Sequence, residues 1–207
     1  MINLETKEIE FEVRKKKKQG GFISQSKFVG AKQNRVVSLT IDGQVILYDL
    51  DYEKKEGSVL TSKKLKLKEE REEKGLSIGV CPKGEYALIE IFNGTVAYKS
   101  SRMILLQLKN EKIAVKATLD HFDQQLGGKY SLDCFGYVGN YLVWVGFSCK
   151  EGLIQVFGHQ IGSGELKELE NKRVSSMETY STQLYRSRNQ YYYTGNRGNV
   201  MKLSLRI

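Results

Sequence analysis

Short strand-like segments that end in Gly, Asn, Asp or Ser recur along the chain, and this recurrence constrains the fold most. The clearest pair is residues 35–41 and 44–48, which Asp42-Gly43 separates. Two β-branched or aromatic runs on either side of an Asp-Gly pair predict a β-hairpin with positive φ at both turn residues. The first secondary-structure prediction is therefore an antiparallel hairpin centred on Asp42-Gly43.

The same hairpin pattern returns three more times. The paired segments are residues 85–92 and 102–108, 140–147 and 153–157, and 190–194 and 199–205. The small turn residues that align are Gly43, Ser101, Gly152 and Gly198, with separations of 58, 51 and 46 residues. A period near fifty in an all-β chain predicts a β-propeller, in which each repeat is a blade of four antiparallel strands.

Further segments supply the remaining strands of each repeat. The predicted inner strands are residues 22–29, 76–81, 132–138 and 177–185, and the predicted outer strands are 60–68, 112–119 and 166–174. Residues 64–68 alternate strictly between Lys and Leu, which is typical of an outer strand with one wet face. A short helix over residues 65–74 is the competing interpretation.

The fourth repeat ends after three strands, and an unassigned strand precedes the first repeat. Residues 8–13 alternate apolar and charged side chains, so they are able to complete the last blade and protect both sheet edges. The prediction is one domain over residues 1–207, with blades at about 22–70, 75–120, 130–174 and 175–207 plus an N-terminal strand at 7–14. Either this strand closes a four-bladed ring, or the chain is an open, partial propeller, which we favour slightly.

The first hairpin resembles the WD40 repeat family. Asp42-Gly43-Gln44-Val45-Ile46-Leu47-Tyr48-Asp49 follows the Asp-Gly, alternating aliphatic, Trp-Asp pattern, with Tyr48 at the tryptophan position. The other repeats are degenerate, and the Gly-His pair that usually opens a repeat is absent. The resemblance implies a non-enzymatic scaffold or recognition module in an intracellular complex. It also implies a normal complement of seven blades, so an incomplete propeller is expected to bind another protein or to self-associate.

The sequence offers little support for catalysis. It contains no P-loop, no nucleophile elbow and neither HExxH nor CxxC metal-binding spacing. His121 lies between Asp120 and Asp123, a pattern more typical of an exposed loop than of an acid–base site. We therefore expect no enzyme activity, no catalytic residues, no metal and no cofactor.

Two basic segments are the candidate partner-binding residues. One is the run Arg14, Lys15, Lys16, Lys17 and Lys18, and the other contains Tyr185, Arg186, Arg188 and Arg197 around three consecutive tyrosines. With a formal net charge of +9, these groups favour acidic segments of other proteins as partners. The alternative is RNA, because arginine and tyrosine also contact phosphates and stack on bases.

Sequence features bear on the cellular compartment as well. Cys81, Cys134 and Cys149 are an odd number without paired spacing, which favours buried free thiols in a reducing environment. The start of the chain has no apolar leader, and the longest apolar runs are too short to span a bilayer. We therefore expect no membrane association and an intracellular, cytoplasmic protein, with the nucleus as the other possible location.

Overall fold

The fold is taken from a computed structural model of the chain. The residues that it describes are 21–30, 34–95, 99–120, 128–148, 153–163, 167–173, 183–187, 190–194 and 200–203. Their strands are β1 (Ile23–Phe28), β2 (Arg35–Thr40), β3 (Gln44–Asp51), β4 (Glu56–Lys64), β5 (Lys74–Val80), β6 (Tyr86–Asn93), β7 (Lys99–Lys109), β8 (Lys112–Asp120), β9 (Gly128–Val138), β10 (Tyr141–Ser148), β11 (Leu153–Gln160), β12 (Lys167–Arg173), β13 (Gln183–Ser187), β14 (Gln190–Thr194) and β15 (Val200–Leu203). A single 3-10 turn at Glu69–Arg71 is the only helical element among the described residues.

The strands form four separate antiparallel sheets in chain order. The first contains β1 to β4, the second β5 to β8, the third β9 to β12 and the fourth β13 to β15. Within each sheet, every strand pairs with the strand that follows it. This confirms the predicted all-β architecture of repeated four-stranded units, and the described sheets form an arc that is not closed.

The first strand of each sheet lies beside the first strand of the next. β1 contacts β5, β5 contacts β9, and β9 contacts β13, as the inner strands of propeller blades do. Polar side chains join the inner strands of the first two sheets. Ser24 Oγ donates to the Leu76 carbonyl at 2.6 Å, and the Ile78 N–H donates to Gln25 Oε1 at 2.8 Å.

Apolar side chains fill the space between the first and second sheets. Ile78, Ile89 and Ile104 form a cross-strand row on β5, β6 and β7. All three are buried in one cluster together with side chains of the first sheet such as Val37 and Leu47. Burial of β-branched residues on a pleated surface is what stabilises such an interface.

The opposite face of the second sheet packs against the third. Leu88 and Met103 belong to a second apolar cluster that contains Trp144 and Phe157 from β10 and β11. The Trp144 and Phe157 rings stack with centroids 5.8 Å apart, which confirms the predicted core position of Trp144. The second sheet is therefore buried on both faces, and this explains why residues 86–92 of β6 and 103–108 of β7 are mostly apolar.

The first sheet is also buried on its far side. Ile46, Tyr48 and Leu50 alternate with the side chains that face the second sheet, and all three are buried. Burial raises the pKa of Tyr48 above its usual value. These three positions of β3 therefore present no exposed apolar surface on that side of the sheet.

The hairpin at Asp42-Gly43 is confirmed, but the predicted turn is wrong. The loop contains three residues, because β2 ends at Thr40 and β3 begins at Gln44. Only Gly43 has positive φ, at 79°, and its N–H donates to the Thr40 carbonyl at 2.9 Å. A turn followed by a left-handed glycine matches the twist of the strands as well as a two-residue turn does.

Two further predictions need correction. Ser101 lies inside β7 rather than in a turn, so the alignment of turn residues was displaced in the second repeat. The first outer strand ends at Lys64, and residues 65–68 belong to no strand. Leu65 is buried and Lys66 is exposed there, so the alternation reflects an extended connection, and the competing helix is limited to the 3-10 turn.

Pairing of residues 8–13 with the last strand lies outside the described residues, as do residues 1–20 altogether. Within the described strands, β15 is the last strand of the fourth sheet and pairs with β14. The predicted closing strand therefore stays a prediction.

Candidate partner-binding site

A connection between the first two sheets encloses a groove at one end of the strands. We name residues 65–74 the connector loop. At its start the Leu65 N–H donates to the Gly43 carbonyl at 2.9 Å, and just after its end the Gly75 N–H donates to the Ile41 carbonyl at 2.8 Å. Both ends of the loop are thus fixed to the β2–β3 turn, and the loop arches away from the turn between them.

The groove between this loop and the turn has a volume of about 790 Å³. Its lining residues are Gly21, Phe22, Ile41, Asp42, Lys64, Leu65, Lys66, Leu67, Lys68, Glu69, Glu72, Glu73 and Lys74. Phe22 is 84% exposed and Ile41 is 40% exposed. These two side chains give the groove an apolar wall in contact with solvent, which is a feature of binding surfaces.

A buried ion pair supports the connector loop from below. Arg102 on β7 contacts both carboxylate oxygens of Glu73, from Nε at 3.0 Å and from Nη2 at 2.5 Å. Arg102 Nη2 also donates to the Lys66 carbonyl at 2.7 Å, and the Lys68 N–H donates to Glu73 Oε2 at 2.7 Å. The Glu73 side chain is fully buried, and several donors satisfy it, so the pair ties the two halves of the loop together.

The far part of the loop is fastened to the second sheet. Asp120, the last residue of β8, accepts hydrogen bonds from Lys68 Nζ at 2.5 Å and from Arg71 Nη1 at 2.9 and 3.1 Å. The Gly94 N–H donates to the Arg71 carbonyl at 3.1 Å. A loop held at its ends, middle and tip loses little conformational freedom when a ligand binds.

Asp42 positions the apolar wall of Phe22 and Ile41, on the side of the groove away from the connector loop. Its Oδ1 accepts the Gly21 N–H at 3.1 Å, and its Oδ2 accepts Lys64 Nζ at 2.5 Å. Burial opposes ionisation, but hydrogen bonds from Lys64, Thr40 and Gly21 outweigh it and lower the pKa of Asp42 to about 2. The bond to Gly21 fixes the backbone immediately before Phe22.

Gly43 allows the connector loop to approach the turn closely. A Cβ at this position would lie 2.9 Å from Leu67 Cγ, which is closer than side-chain contacts normally allow. Gly43 is therefore required both for its positive φ and for the packing of Leu67.

The charges in the lining are balanced. Lys64 pairs with Asp42 and Lys68 pairs with Asp120, while Glu73 is neutralised by Arg102. The remaining charged side chains of the lining are Lys66, Lys74, Glu69 and Glu72. The lining alone therefore selects no sign of charge in a ligand.

Of the binding residues predicted from the sequence, Tyr185 and Arg186 lie within a described strand, β13. Arg14, Lys15, Lys16, Lys17, Lys18, Arg188 and Arg197 lie outside the described residues. Tyr185 and Arg186 are adjacent on β13, where Tyr185 is opposite Tyr192 and Arg186 is opposite Tyr191. These residues therefore stay predicted partner contacts.

Sequence reasoning missed Phe22, Ile41 and the connector loop. Phe22 and Ile41 were placed inside strands because they are β-formers next to apolar runs. The available signal was their position next to turn residues. Phe22 follows the glycine pair 20–21, where a strand is about to begin, and Ile41 precedes the Asp-Gly turn, where a strand has ended. Nothing local predicts the groove, because Arg102 and Asp120 join the loop from the second sheet.

Other residues considered for chemistry have structural roles where they are described. Asp120, which precedes His121 in the sequence, is paired with the connector loop. Cys81 is a buried free thiol, whose sulfur lies 3.5 Å from the Tyr137 hydroxyl. Among the described residues, no group of three His, Cys, Asp or Glu side chains is arranged to hold a metal ion.

Within the described part of the chain, no helix has the length and apolarity needed to cross a bilayer. No protein-family model matches the sequence, and no curated protein matches it either.

Solved structures do resemble the fold. The Cps50 (Swd1) β-propeller domain of Myceliophteria thermophila matches with a TM-score of 0.52 and 10% identity over 88% of this chain and 54% of that chain. The Nup133 β-propeller domain of Vanderwaltozyma polyspora matches with a TM-score of 0.55 and 11% identity over 87% of this chain and 55% of that chain. A candidate 6-phosphogluconolactonase of Bacteroides uniformis has a TM-score of 0.51 and 13% identity over 87% and 53%.

These similarities show the fold alone, and that fold is a β-propeller. The arrangement of four-stranded antiparallel sheets with neighbouring inner strands agrees with it. The chain spans about half the length of these propellers.

Proposed function

We propose that this chain is a protein-binding propeller module, whose groove beside the connector loop receives a segment of a partner protein. The observation that carries the proposal is the exposed apolar wall of Phe22 and Ile41 next to a loop that buried contacts hold rigid. Large apolar side chains cost solvation free energy when they stay in water, and aromatic residues are enriched where proteins bind each other.

The charged groups of the groove support binding rather than catalysis. A catalytic acid or base needs a group that remains available to the substrate. Asp42 and Glu73 are both engaged in ion pairs with lysine or arginine, and Asp42 is ionised across the neutral range because its pKa is about 2. These carboxylates act as structural supports of the groove in our proposal.

The proposed setting is an intracellular complex. The buried free thiol of Cys81 supports a reducing compartment. In this setting the basic residues named from sequence, Arg14 to Lys18 with Arg186, Arg188 and Arg197, remain proposed contacts to partners.

The test is selection of displayed random peptides of twelve residues on the purified protein. Selected peptides are then measured by fluorescence anisotropy against a groove variant, Phe22→Ala with Ile41→Ala. We expect at least about a tenfold loss of affinity, since removal of interface anchors typically costs more than 1 kcal/mol each. Val115→Ala is the matched control, because Val115 is 45% exposed on β8 and should leave affinity unchanged.

Two outcomes would refute the proposal. One is the absence of any enriched peptide, and the other is equal binding to the groove variant and the wild type. Titration with a single-stranded oligouridylate of twenty nucleotides distinguishes the RNA alternative, because nucleic-acid binding weakens steeply with salt. Submicromolar binding of that RNA at physiological salt, without peptide binding, would replace our proposal with the alternative.

A further inference from the structure

The end of β6 carries the one Asn-Gly pair of the sequence, Asn93-Gly94. An asparagine that precedes glycine is chemically labile, because the glycine has no side chain to hinder its backbone nitrogen from attacking the asparagine amide. Asp42-Gly43 is the related acidic pair, and its carboxylate is ionised across the neutral range because its pKa is about 2. An ionised carboxylate is a poor electrophile, so Asn93-Gly94 is the pair at which this chemistry is favoured.

The reaction at such a pair is a cyclisation followed by hydrolysis. The Gly94 nitrogen forms a bond to Asn93 Cγ, and its proton goes to the side-chain amide nitrogen, which leaves as ammonia. A five-membered imide ring remains. Water then opens the ring at one of its two carbonyls. The products are aspartate, with a normal backbone, and isoaspartate, with one additional methylene in the backbone.

The contacts of the Asn93 side chain favour the attack. Asn93 Oδ1 accepts the Thr95 N–H at 3.0 Å and the Thr95 hydroxyl, through Oγ1, at 2.7 Å. A side chain that bonds to the residue two positions ahead lies alongside the intervening peptide, which here is that of Gly94. The two donors also stabilise the negative charge that develops on the oxygen when a nucleophile adds to Cγ. The electrophile is therefore both placed and polarised.

The connector loop restrains the nucleophile. The Gly94 N–H donates to the Arg71 carbonyl at 3.1 Å, so the proton that must leave is held by the loop. A Cβ on Gly94 would lie 2.7 Å from the Glu72 carbonyl oxygen, which shows that the loop backbone covers this residue directly. Asn93 is only 2% exposed, so the water needed for hydrolysis is kept away as well.

We infer that Asn93-Gly94 is a latent deamidation site and that the connector loop is its lock. The reaction proceeds when the loop lifts from Gly94, because the nitrogen is then released while Thr95 still polarises the amide. The lock is fastened at Asp120, which holds the loop through Lys68 and Arg71. This inference goes beyond the proposed function and does not depend on what the groove binds.

Deamidation would prevent the connector loop from returning to its place. Isoaspartate lengthens the backbone at the point where Gly94 packs against Glu72, and there is no room there for an added methylene. Either product also adds a negative charge to a turn that already lies against Glu72. A molecule whose loop has opened is therefore marked permanently by a change in its own covalent structure.

The lock makes the reaction rate proportional to the fraction of molecules with an open loop. Where opening and closing are fast compared with the chemistry, the observed rate is the rate in the open state multiplied by that fraction. Asp120→Ala removes the contacts from Lys68 and Arg71, which are partly exposed. Two contacts of this kind change an equilibrium by about fivefold together. The variant should therefore deamidate about fivefold faster than the wild type.

The experiment incubates the full chain at mildly alkaline pH. Conversion at Asn93 is followed by peptide mass spectrometry, and isoaspartate is detected with an isoaspartyl methyltransferase. We expect the folded wild type to react at least about tenfold more slowly than the same chain unfolded in urea. The matched control is Asp51→Ala, which removes the exposed Asp51–Lys54 pair at the other end of the strands and should leave the rate unchanged.

A second variant keeps the test decisive if Asp120→Ala does not fold. Arg71→Ala retains the backbone carbonyl that binds Gly94 but loses the side-chain bonds to Asp120, so it should also accelerate the reaction. Equal rates in the folded and unfolded wild type would overturn the inference, because the loop would then protect nothing. It would also be overturned if the loop variants reacted no faster than Asp51→Ala, or if Asn93 stayed unmodified even in urea.

Discussion

The first two sheets are held together in two physically different ways. Between their faces lies an apolar cluster of buried side chains, which includes the isoleucine row of Ile78, Ile89 and Ile104. At one end lies the connector loop, which Arg102, Glu73 and Asp120 hold by charged hydrogen bonds. The apolar cluster makes the two sheets associate, and the charged hydrogen bonds shape the groove.

The apolar cluster is non-directional and follows from area removed from water, so many side chains of similar volume would satisfy it. The charged contacts are directional, because a guanidinium fits a carboxylate in few orientations. We therefore assign most of the stability to the cluster and the geometry of the binding site to the ion pairs. The following predictions test that division, from the largest expected effect to the smallest.

Ile89→Ala should have the largest effect on stability. Ile89 is fully buried between Ile78 and Ile104, and the truncation leaves a cavity that the two sheets fill only in part. We expect a loss of about 4 kcal/mol in the free energy of unfolding, measured by urea denaturation. Below its unfolding transition the variant should still bind the selected peptides. A loss under about 1 kcal/mol would show that this cluster does not dominate stability.

Arg102→Ala should lower the free energy of unfolding somewhat less than Ile89→Ala does, and it should lower peptide affinity more. It leaves the Glu73 carboxylate buried without its partner, at a cost of about 3 kcal/mol in the free energy of unfolding. It also frees the Lys66 carbonyl, so the loop is no longer held in one arrangement. We expect reduced affinity for the selected peptides even at temperatures where the variant is folded.

A double variant, Glu73→Leu with Arg102→Met, separates the effect of the ion pair on the shape of the groove from its effect on the stability of the fold. Apolar side chains of similar volume commonly replace a buried ion pair without loss, so we expect the free energy of unfolding to lie within about 1 kcal/mol of the wild type. Peptide affinity should nevertheless fall, because the directional bonds to the loop are gone. Unchanged affinity in this folded variant would contradict the role that we give to the ion pair.

The same division between apolar packing and directional charged contacts explains which elements could be predicted from the sequence. The strands of the apolar cluster follow from β-branched runs and turn residues, which are local properties. The same local signals give the bounds of β14, Gln190–Thr194, in the fourth sheet. The connector loop was misassigned because Lys64 to Lys68 alternates as a strand does. Its conformation depends on Arg102, Asp120 and Gly94, which are distant in sequence. Such contacts leave no periodic signal, so the groove was not predictable.

Lys68→Ala should have a smaller effect, because its pair with Asp120 is partly exposed and Arg71 still contacts the same carboxylate. We expect a change of about 0.5 kcal/mol in the free energy of unfolding at low salt, decreasing in 1 M NaCl. Asp120→Ala removes both contacts and should have the greater effect of the two. An equal effect of each substitution in high and low salt would show that the contacts act through packing instead.

Asp42→Asn should have the smallest effect, and its dependence on pH identifies the cause. Because the folded-state pKa of Asp42 is lowered to about 2 from 3.8, its ionised form stabilises the fold above about pH 4. This contribution disappears as the pH falls toward 2. The Asp42 side chain is 42% exposed, so solvent screening limits the expected loss at pH 7 to a few tenths of a kcal/mol. The difference in Tm between wild type and variant should therefore narrow between pH 4 and pH 2. A difference that stays constant over this range would mean that the contribution of Asp42 does not depend on its carboxylate charge.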